Sequence, residues 1–245
     1  MIFRKGKTFF KLLMYGIKSI KCVNKAKFYT AQETVDIICK KKLSIIRLGD
    51  GEFNILQGKS VSYQPWSKEL QENMEEIVMN YINGDMKYLL CMPGEFFLPN
   101  AYKLSIQHLK SWVFSRYFFK KKYDIANIVY GDAFLFARGN QAIFKKIWLS
   151  QKLEKIIFVH NDEKYAKNFL KKYGIKTIFI SVPKEDAYSK IELIKEKICK
   201  EVAEKSLVLI SAGPAAKIIV KDLSKKGIWC IDTGHCWDTP LLLRK

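Results

Sequence analysis

The sequence predicts an α/β protein: a Rossmann-like, mostly parallel sheet with helices on both faces, plus a basic N-terminal helix. Three observations lead there. From residue 127 to 231 short apolar runs alternate with helix-length amphipathic stretches, which is the spacing of βαβ units. Such runs suit strands buried on both faces of a parallel sheet. No internal repeat, low-complexity tract or long linker interrupts the 245 residues, a length that can bury a full core.

The elements follow in order. Residues 1–28 form a basic amphipathic arm and 29–245 the main domain. Thr30-Ala31-Gln32-Glu33 has the form of a capping box and opens a helix to about Lys41. The run 43–47 is a strand that ends in a glycine-flanked acidic turn. Ser67 caps a helix with Leu70, Met74, Ile77, Val78 and Tyr81 at helical spacing, closed by Asn83-Gly84. Residues 87–92 form a strand stopped by Pro93-Gly94. Residues 100–122 interleave aromatics with cations and read as two core-facing helices with solvated lysines. Beyond them lie a strand over 128–136, a helix over 141–150, a strand over 155–159 and a helix over 162–172 ending at Gly174. Last come a strand over 177–182, a long helix over 187–204, a strand over 207–211, a helix over 215–226 and a final strand over 228–231.

The formal charge of +19 and the pI near 9.6 imply an anionic partner: nucleic acid, anionic lipid or a phosphorylated substrate. The excess is concentrated at the start. Met1 to Gln32 holds no acid but contains Arg4, Lys5, Lys7, Lys11, Lys18, Lys21, Lys25 and Lys27, with Phe9, Phe10, Leu13, Ile17 and Ile20 near helical spacing. This pattern suits a helix lying on an anionic membrane surface; a helix packing its apolar face on the domain is the alternative. Lys11 interrupts the run a secretory signal would need, and no stretch approaches the roughly 20 apolar residues of a membrane span. The six cysteines are scattered without a Cys-x-x-Cys pair, as in a reducing cytosol. Cys230, His235 and Cys236 match no zinc spacing.

Three strand-to-helix junctions carry chemistry. Arg47-Leu48-Gly49-Asp50-Gly51-Glu52 sets two carboxylates one residue apart where the backbone bends closely around a ligand. Mn²⁺ or Mg²⁺ takes such oxygen ligands together with substrate phosphates. A solvated Gly/Asp turn is the other reading of this hexapeptide. Ser211-Ala212-Gly213-Pro214-Ala215-Ala216 offers a tight turn, Pro at the first helical position and small residues beside exposed amides, a phosphate-binding arrangement. Ile231-Asp232-Thr233-Gly234-His235-Cys236-Trp237-Asp238 adds acids and a histidine to the same edge, where either residue type can act as a general base. A turn cap is the alternative for Asp232, and a backbone-bonded turn residue for His235.

Together the three junctions resemble the bacterial glycosyltransferases of the GT-D fold. Members are similar in Arg-x-Gly-Asp-Gly-Glu, matched by Arg47, Gly49, Asp50, Gly51 and Glu52, and in a Gln with an aromatic, matched by Tyr63-Gln64-Pro65-Trp66. The likeness continues through Gly213-Pro214-Ala215-Ala216, Asp222-Leu223, Gly227 and Ile231-Asp232-Thr233-Gly234-His235. Pro183 to Tyr188 resembles the family's Pro-x-x-Asn-Ala-aromatic element, with Asp186 in place of Asn. Two stretches depart from it. Cys236-Trp237-Asp238 replaces an acid-rich Tyr-Glu-Trp segment, leaving Asp238 as its one acid. Val159-His160-Asn161-Asp162-Glu163 lacks the Gly and Arg that members carry there, which bears on donor or acceptor preference.

The resemblance implies transfer of a sugar from a nucleotide sugar, a UDP-sugar first among them, to a glycan or lipid-linked glycan acceptor in bacterial surface polysaccharide or glycoprotein synthesis. It implies Asp50 and Glu52 as ligands of Mn²⁺ or Mg²⁺. Arg47, Gly49, Gly51, Gly213, Pro214 and Ala215 would line the nucleotide or phosphate, and Asp238 or His235 would be the base. The expected location is cytoplasmic, peripheral on the inner face of the plasma membrane, with no nucleic-acid partner. The competing readings are a nucleotide-sugar hydrolase or phosphotransferase on the same fold, and a non-enzymatic binder of nucleic acid or anionic membrane.

Overall fold

Among the described residues eight strands form one sheet in the order β1-β4-β3-β2-β8-β7-β5-β6, and every pairing between them is parallel. The strands are β1 (Lys27–Phe28), β2 (Ser44–Arg47), β3 (Tyr88–Met92), β4 (Val129–Asp132), β5 (Lys155–His160), β6 (Thr177–Ser181), β7 (Ser206–Ile210) and β8 (Cys230–Asp232). The computed structural model describes residues 10, 13–18, 26–84, 87–94, 106–123 and 128–242. The central strands β2 and β8 come from opposite ends of the chain, with Ile45 in register with Ile231. Parallel pairing turns all carboxyl ends toward one edge, where the three junctions meet.

Helices cover both faces. On one lie α1 (Ala31–Lys41), α5 (Gln141–Phe144), α6 (Lys146–Leu149) and α7 (Lys164–Tyr173). On the other, α3 (Lys68–Ile82) and α8 (Ile191–Glu201) flank α9 (Gly213–Lys225), which lies against β2, β3 and β8. Double coverage explains why Leu207 to Ile210 and Ile156 to Val159 are apolar at every position and wholly buried. Each such aliphatic side chain contributes about 1.5–3 kcal/mol of burial. The short α2 (Asp50–Leu56) packs on α4 (Ile106–Lys122), with Phe53 edge-on to Phe119 at 5.2 Å between ring centres.

Several expectations change in detail. The acidic turn at 50–52 is the first turn of α2, because the Glu52 carboxylate reaches back to the Gly49 N–H at 2.7 Å and caps a helix. The strand expected over 128–136 stops at Asp132, whose side chain accepts the Phe134 N–H at 2.7 Å and turns the chain. The helix expected over 141–150 is divided into α5 and α6 at Lys145. The long helix over 187–204 begins as a 3₁₀ turn, Ala187–Lys190, behind Asp186 at φ +49°, and is α-helical only over α8. One helix, α4, is found within 100–122, and the earlier part of that segment lies outside the described residues, as does most of the arm. Residues 13–18 of the arm are helical.

Helix α9 carries two buried lysines one turn apart, each neutralised at its own end. Lys221 meets Glu76 of α3 at 2.6 Å and Asn73 at 2.8 Å, so it ties the two helices together. That bond, against an opposing effect of burial and with help from Lys225, holds the Glu76 carboxyl down at about 2. A lowered folded-state value stabilises the fold above the ordinary 4.5 and loses that contribution as pH falls toward 2. Glu76→Gln should therefore be less stable than the parent at pH 7, with the difference shrinking to nothing in acid unfolding near pH 2. A difference that is constant with pH would refute the assignment.

Candidate functional site

The carboxyl edge opens into a cleft of about 570 Å³ lined by all three junctions and by the loops after β4, β5 and β6. At its floor Lys217 is 5% exposed. A helical side chain leans toward the N-terminus of its helix. The Lys217 ammonium thus passes the Gly213 carbonyl at 3.2 Å and reaches Glu52 Oε1 at 3.0 Å and Asp232 Oδ2 at 3.1 Å. Burial pulls the ammonium down, but the Asp232 and Glu52 carboxylates outweigh it and hold Lys217 charged. Asp232 Oδ2 also accepts the Arg47 N–H at 3.0 Å, and its Oδ1 accepts the Gly234 N–H at 3.2 Å.

Arg47 is absorbed into the same framework. Its Nε donates to the Asp232 carbonyl and one terminal nitrogen to the Ala133 carbonyl, each at 2.8 Å, while the guanidinium lies 5.1 Å over the Phe136 ring. It fastens the ends of β2, β4 and β8. Gly234 follows from this: at φ +49° a side chain is strained, and a Cβ there would stand 2.0 Å from the guanidinium. Gly213, at φ +53°, yields in the same way to the Tyr63 ring, which would lie 2.9 Å from its Cβ. Tyr63 fills the space between the starts of α2 and α9. Burial, reinforced by Glu52, pushes its phenol up to about 12, so it stays protonated.

A second set of bonds fixes the cleft's rim. Buried Gln64 donates to Asp186 Oδ1 at 2.6 Å and accepts the Tyr188 N–H at 3.2 Å, and the Asp186 N–H returns to the Tyr63 carbonyl at 2.9 Å. Ser211 donates to the Gly234 carbonyl at 2.6 Å, joining β7 to the loop after β8. In that loop His235 Nδ1 lies 3.3 Å from both oxygens of Asp238. Burial pushes the Asp238 carboxyl up, but the Thr239 N–H and His235 together bring it below its usual range.

All residues expected from the sequence except Pro214 and Ala215 line the cleft; those two are buried in the first turn of α9 beside it. Asp50 is exposed, accepts the Gly51 N–H at 2.9 Å through Oδ1, and has no donor on Oδ2 among the described residues. Glu52 has both oxygens engaged, with Gly49 and with Lys217. Sequence reasoning missed Lys217, left Asp232 between a general base and a turn cap, and gave no role to His160, which also lines the cleft. A lysine amid the apolar stretch Pro214 to Val220 was the available signal for the first.

A parallel α/β sheet that gathers a helix start, a caged carboxylate pair and a His–Asp contact at its carboxyl edge has its cleft where open α/β sheets bind their ligands. The chain belongs to the glycosyltransferase GT-D fold family, whose model matches residues 45–239. It is 25% identical over 221 residues to a "Probable glycosyl transferase Gly" of Streptococcus gordonii and 26% identical over 222 residues to "Glycosyltransferase GlyD" of Streptococcus pneumoniae. Each alignment takes in 83% of this chain, which spans only 31% and 26% of those longer proteins. A solved structure described as "A New Glycosyltransferase (DUF1792) from Streptococcus sanguinis" superposes with a TM-score of 0.72 at 26% identity, over 86% of this chain and 82% of that one. Another, described as the domain of unknown function 1792 with "a distinct glycosyltransferase fold", gives 0.76 at 23% identity over 91% and 83%, a likeness of fold.

Replacing Lys217 with Met leaves Glu52 and Asp232 buried without their cation, a loss of about 3–5 kcal/mol. Urea unfolding of Lys217→Met measures it. A change below about 1 kcal/mol, the range of an exposed pair, would show that the cluster does not hold the edge together.

Proposed function

We propose that this chain transfers a sugar from a nucleotide sugar, taken as a UDP-sugar, to a hydroxyl of a glycan acceptor, with Mn²⁺ or Mg²⁺ at the diphosphate. The observation that carries the reading is the contrast between a +19 protein and a cleft where Arg47, Lys184 and Lys217 meet Asp50, Glu52 and Asp238, with Asp232 behind them. Its cations are cancelled or outnumbered, so a diphosphate entering there calls for added positive charge.

Asp50 suits a divalent ion because its Oδ2 is uncommitted, and such ions are commonly held by one or two carboxylates plus substrate phosphates. Glu52, expected as the second ligand, already holds Gly49 on one oxygen and Lys217 on the other, and would join through a remaining lone pair. The bound ion supplies neutralisation of the charge that gathers on the leaving nucleoside diphosphate.

The chain's own groups do the rest. Gly213 at the start of α9 lines the cleft, and the positive end of that helix favours phosphate oxygens. His235, oriented by Asp238 through Nδ1, leaves Nε2 to take the acceptor's proton as its oxygen bonds the anomeric carbon and the sugar–phosphate bond breaks. The Gln64–Asp186 lock holds the loop after β6 against the site, fixing the donor's position.

The arm supports contact with anionic membrane and hence a lipid-linked acceptor. Tyr15 turns inward onto Phe114 and Tyr117, with ring centres at 5.4 and 4.4 Å, while Phe10, Leu13 and Ile17 are exposed among the arm's lysines. Among the described residues no helix is long and apolar enough to cross a membrane.

Calorimetry with UDP in Mn²⁺ and in chelator tests the site. Parent protein should bind only with metal, and folded Asp50→Ala should lose at least tenfold in affinity; unchanged metal-dependent affinity would refute the assignment. Sedimentation with phosphatidylglycerol vesicles tests the arm: Ile17→Glu should weaken binding several-fold, and equal binding to phosphatidylcholine vesicles would contradict an electrostatic contact.

A further inference from the structure

His160 closes β5 and lines the cleft although the residue is only 3% exposed. Its Nδ1 lies 3.1 Å from the Asp162 amide nitrogen. A backbone N–H only donates, so Nδ1 must present its lone pair, and the ring's hydrogen then sits on Nε2. Nε2 meets no acceptor among the described residues. The ring is held between Tyr165 and Phe158, with centres at 4.6 and 6.1 Å, which restricts its rotation.

The titratable groups around it are Asp238, Asp162, His235 and Lys164. Burial outweighs the two carboxylates and brings the imidazole below its usual range, so at pH 7 it is neutral. With its lone pair committed to the loop, this ring is no base. A neutral donor also contributes nothing to the charge balance a phosphate needs, whereas it suits a hydroxyl oxygen.

We propose that His160 is a fixed Nε2–H donor to a hydroxyl of the sugar carried by the nucleotide, a binding residue that helps decide which sugar the cleft accepts. The assignment deepens the reading above and rests on it. A site built to hydrogen-bond a hydroxyl discriminates against ligands that lack it. One such bond between neutral partners is worth about threefold to tenfold in affinity.

Two substitutions separate binding from structure, because each keeps one half of the ring. Asn at 160 places an acceptor near Nδ1 and preserves the Asp162 contact but presents no donor near Nε2. Gln places a donor near Nε2 and gives up the loop contact. Calorimetry in Mn²⁺ with UDP, UDP-glucose, UDP-galactose and UDP-N-acetylglucosamine identifies the sugar that adds affinity beyond UDP. That increment should survive in His160→Gln and fall threefold to tenfold in His160→Asn, with UDP bound alike by all three proteins. The opposite pattern, loss in Gln and retention in Asn, marks His160 as a loop anchor and overturns the proposal.

Nitrogen-15 chemical shifts of the parent's ring need no variant and should show Nε2–H at pH 7; an Nδ1–H tautomer or an imidazolium overturns it even where both variants misfold. Parent protein that binds no nucleotide would defeat the functional reading and this assignment together. UDP binding with an unaltered sugar increment in His160→Asn would defeat the role of His160 alone.

Discussion

One ammonium group, nearly buried between two carboxylates, holds the carboxyl edge of this sheet together. Lys217 rises from the second turn of α9 and meets Glu52 of α2 and Asp232 of β8. Asp232 in turn receives the Arg47 backbone N–H, and the Arg47 side chain runs on to the loop after β4. Three strand ends and two helix starts therefore share a single charge-balanced cluster. Buried ions are tolerated only when paired and hydrogen-bonded, so every position in the cluster constrains its neighbours. Gly234 is small because the guanidinium passes it, and Gly213 because Tyr63 does.

The cluster also determines what the cleft can offer. Committing Glu52 and Asp232 to Lys217 leaves Asp50 as the carboxylate with a free oxygen at the start of α2. The strongly basic exterior attracts anionic ligands and surfaces over long range, while the floor of the cleft is balanced or slightly negative. Such a division suits a diphosphate that arrives with a divalent ion, and it separates the steering of a ligand from the holding of it. At the rim, His235 with Asp238 and His160 with Asp162 show how one residue type serves two purposes. The first pair leaves a nitrogen exposed to solvent, and the second spends its lone pair on the chain itself.

Much of the sheet was legible in the sequence because buried parallel strands are short apolar runs bounded by Gly and polar turns. The two-residue β1 was missed, being too short for any period to register. The three junctions were legible because glycine beside an acid, or before Pro and Ala, has a local meaning. What the sequence concealed is long-range. Lys217 resembles any helical lysine until its partners at 52 and 232 are placed, and Glu52 resembles a free ligand until Lys217 is. Gln64 and Asp186 stand 122 residues apart, so their lock appears only in three dimensions. The helix α2 was read as a turn since its cap is the same glutamate that was read as a metal ligand.

The central claim is that Asp50 receives the metal and diphosphate while Lys217 keeps Glu52 and Asp232 in place behind it. Anomalous diffraction from crystals of the protein with UDP and Mn²⁺ tests this most directly. The expected map shows manganese beside Asp50, bridged to the diphosphate, with the Lys217 cluster intact. Manganese held by Glu52 or Asp232 with Lys217 displaced, or UDP bound with no manganese in the cleft, would contradict it.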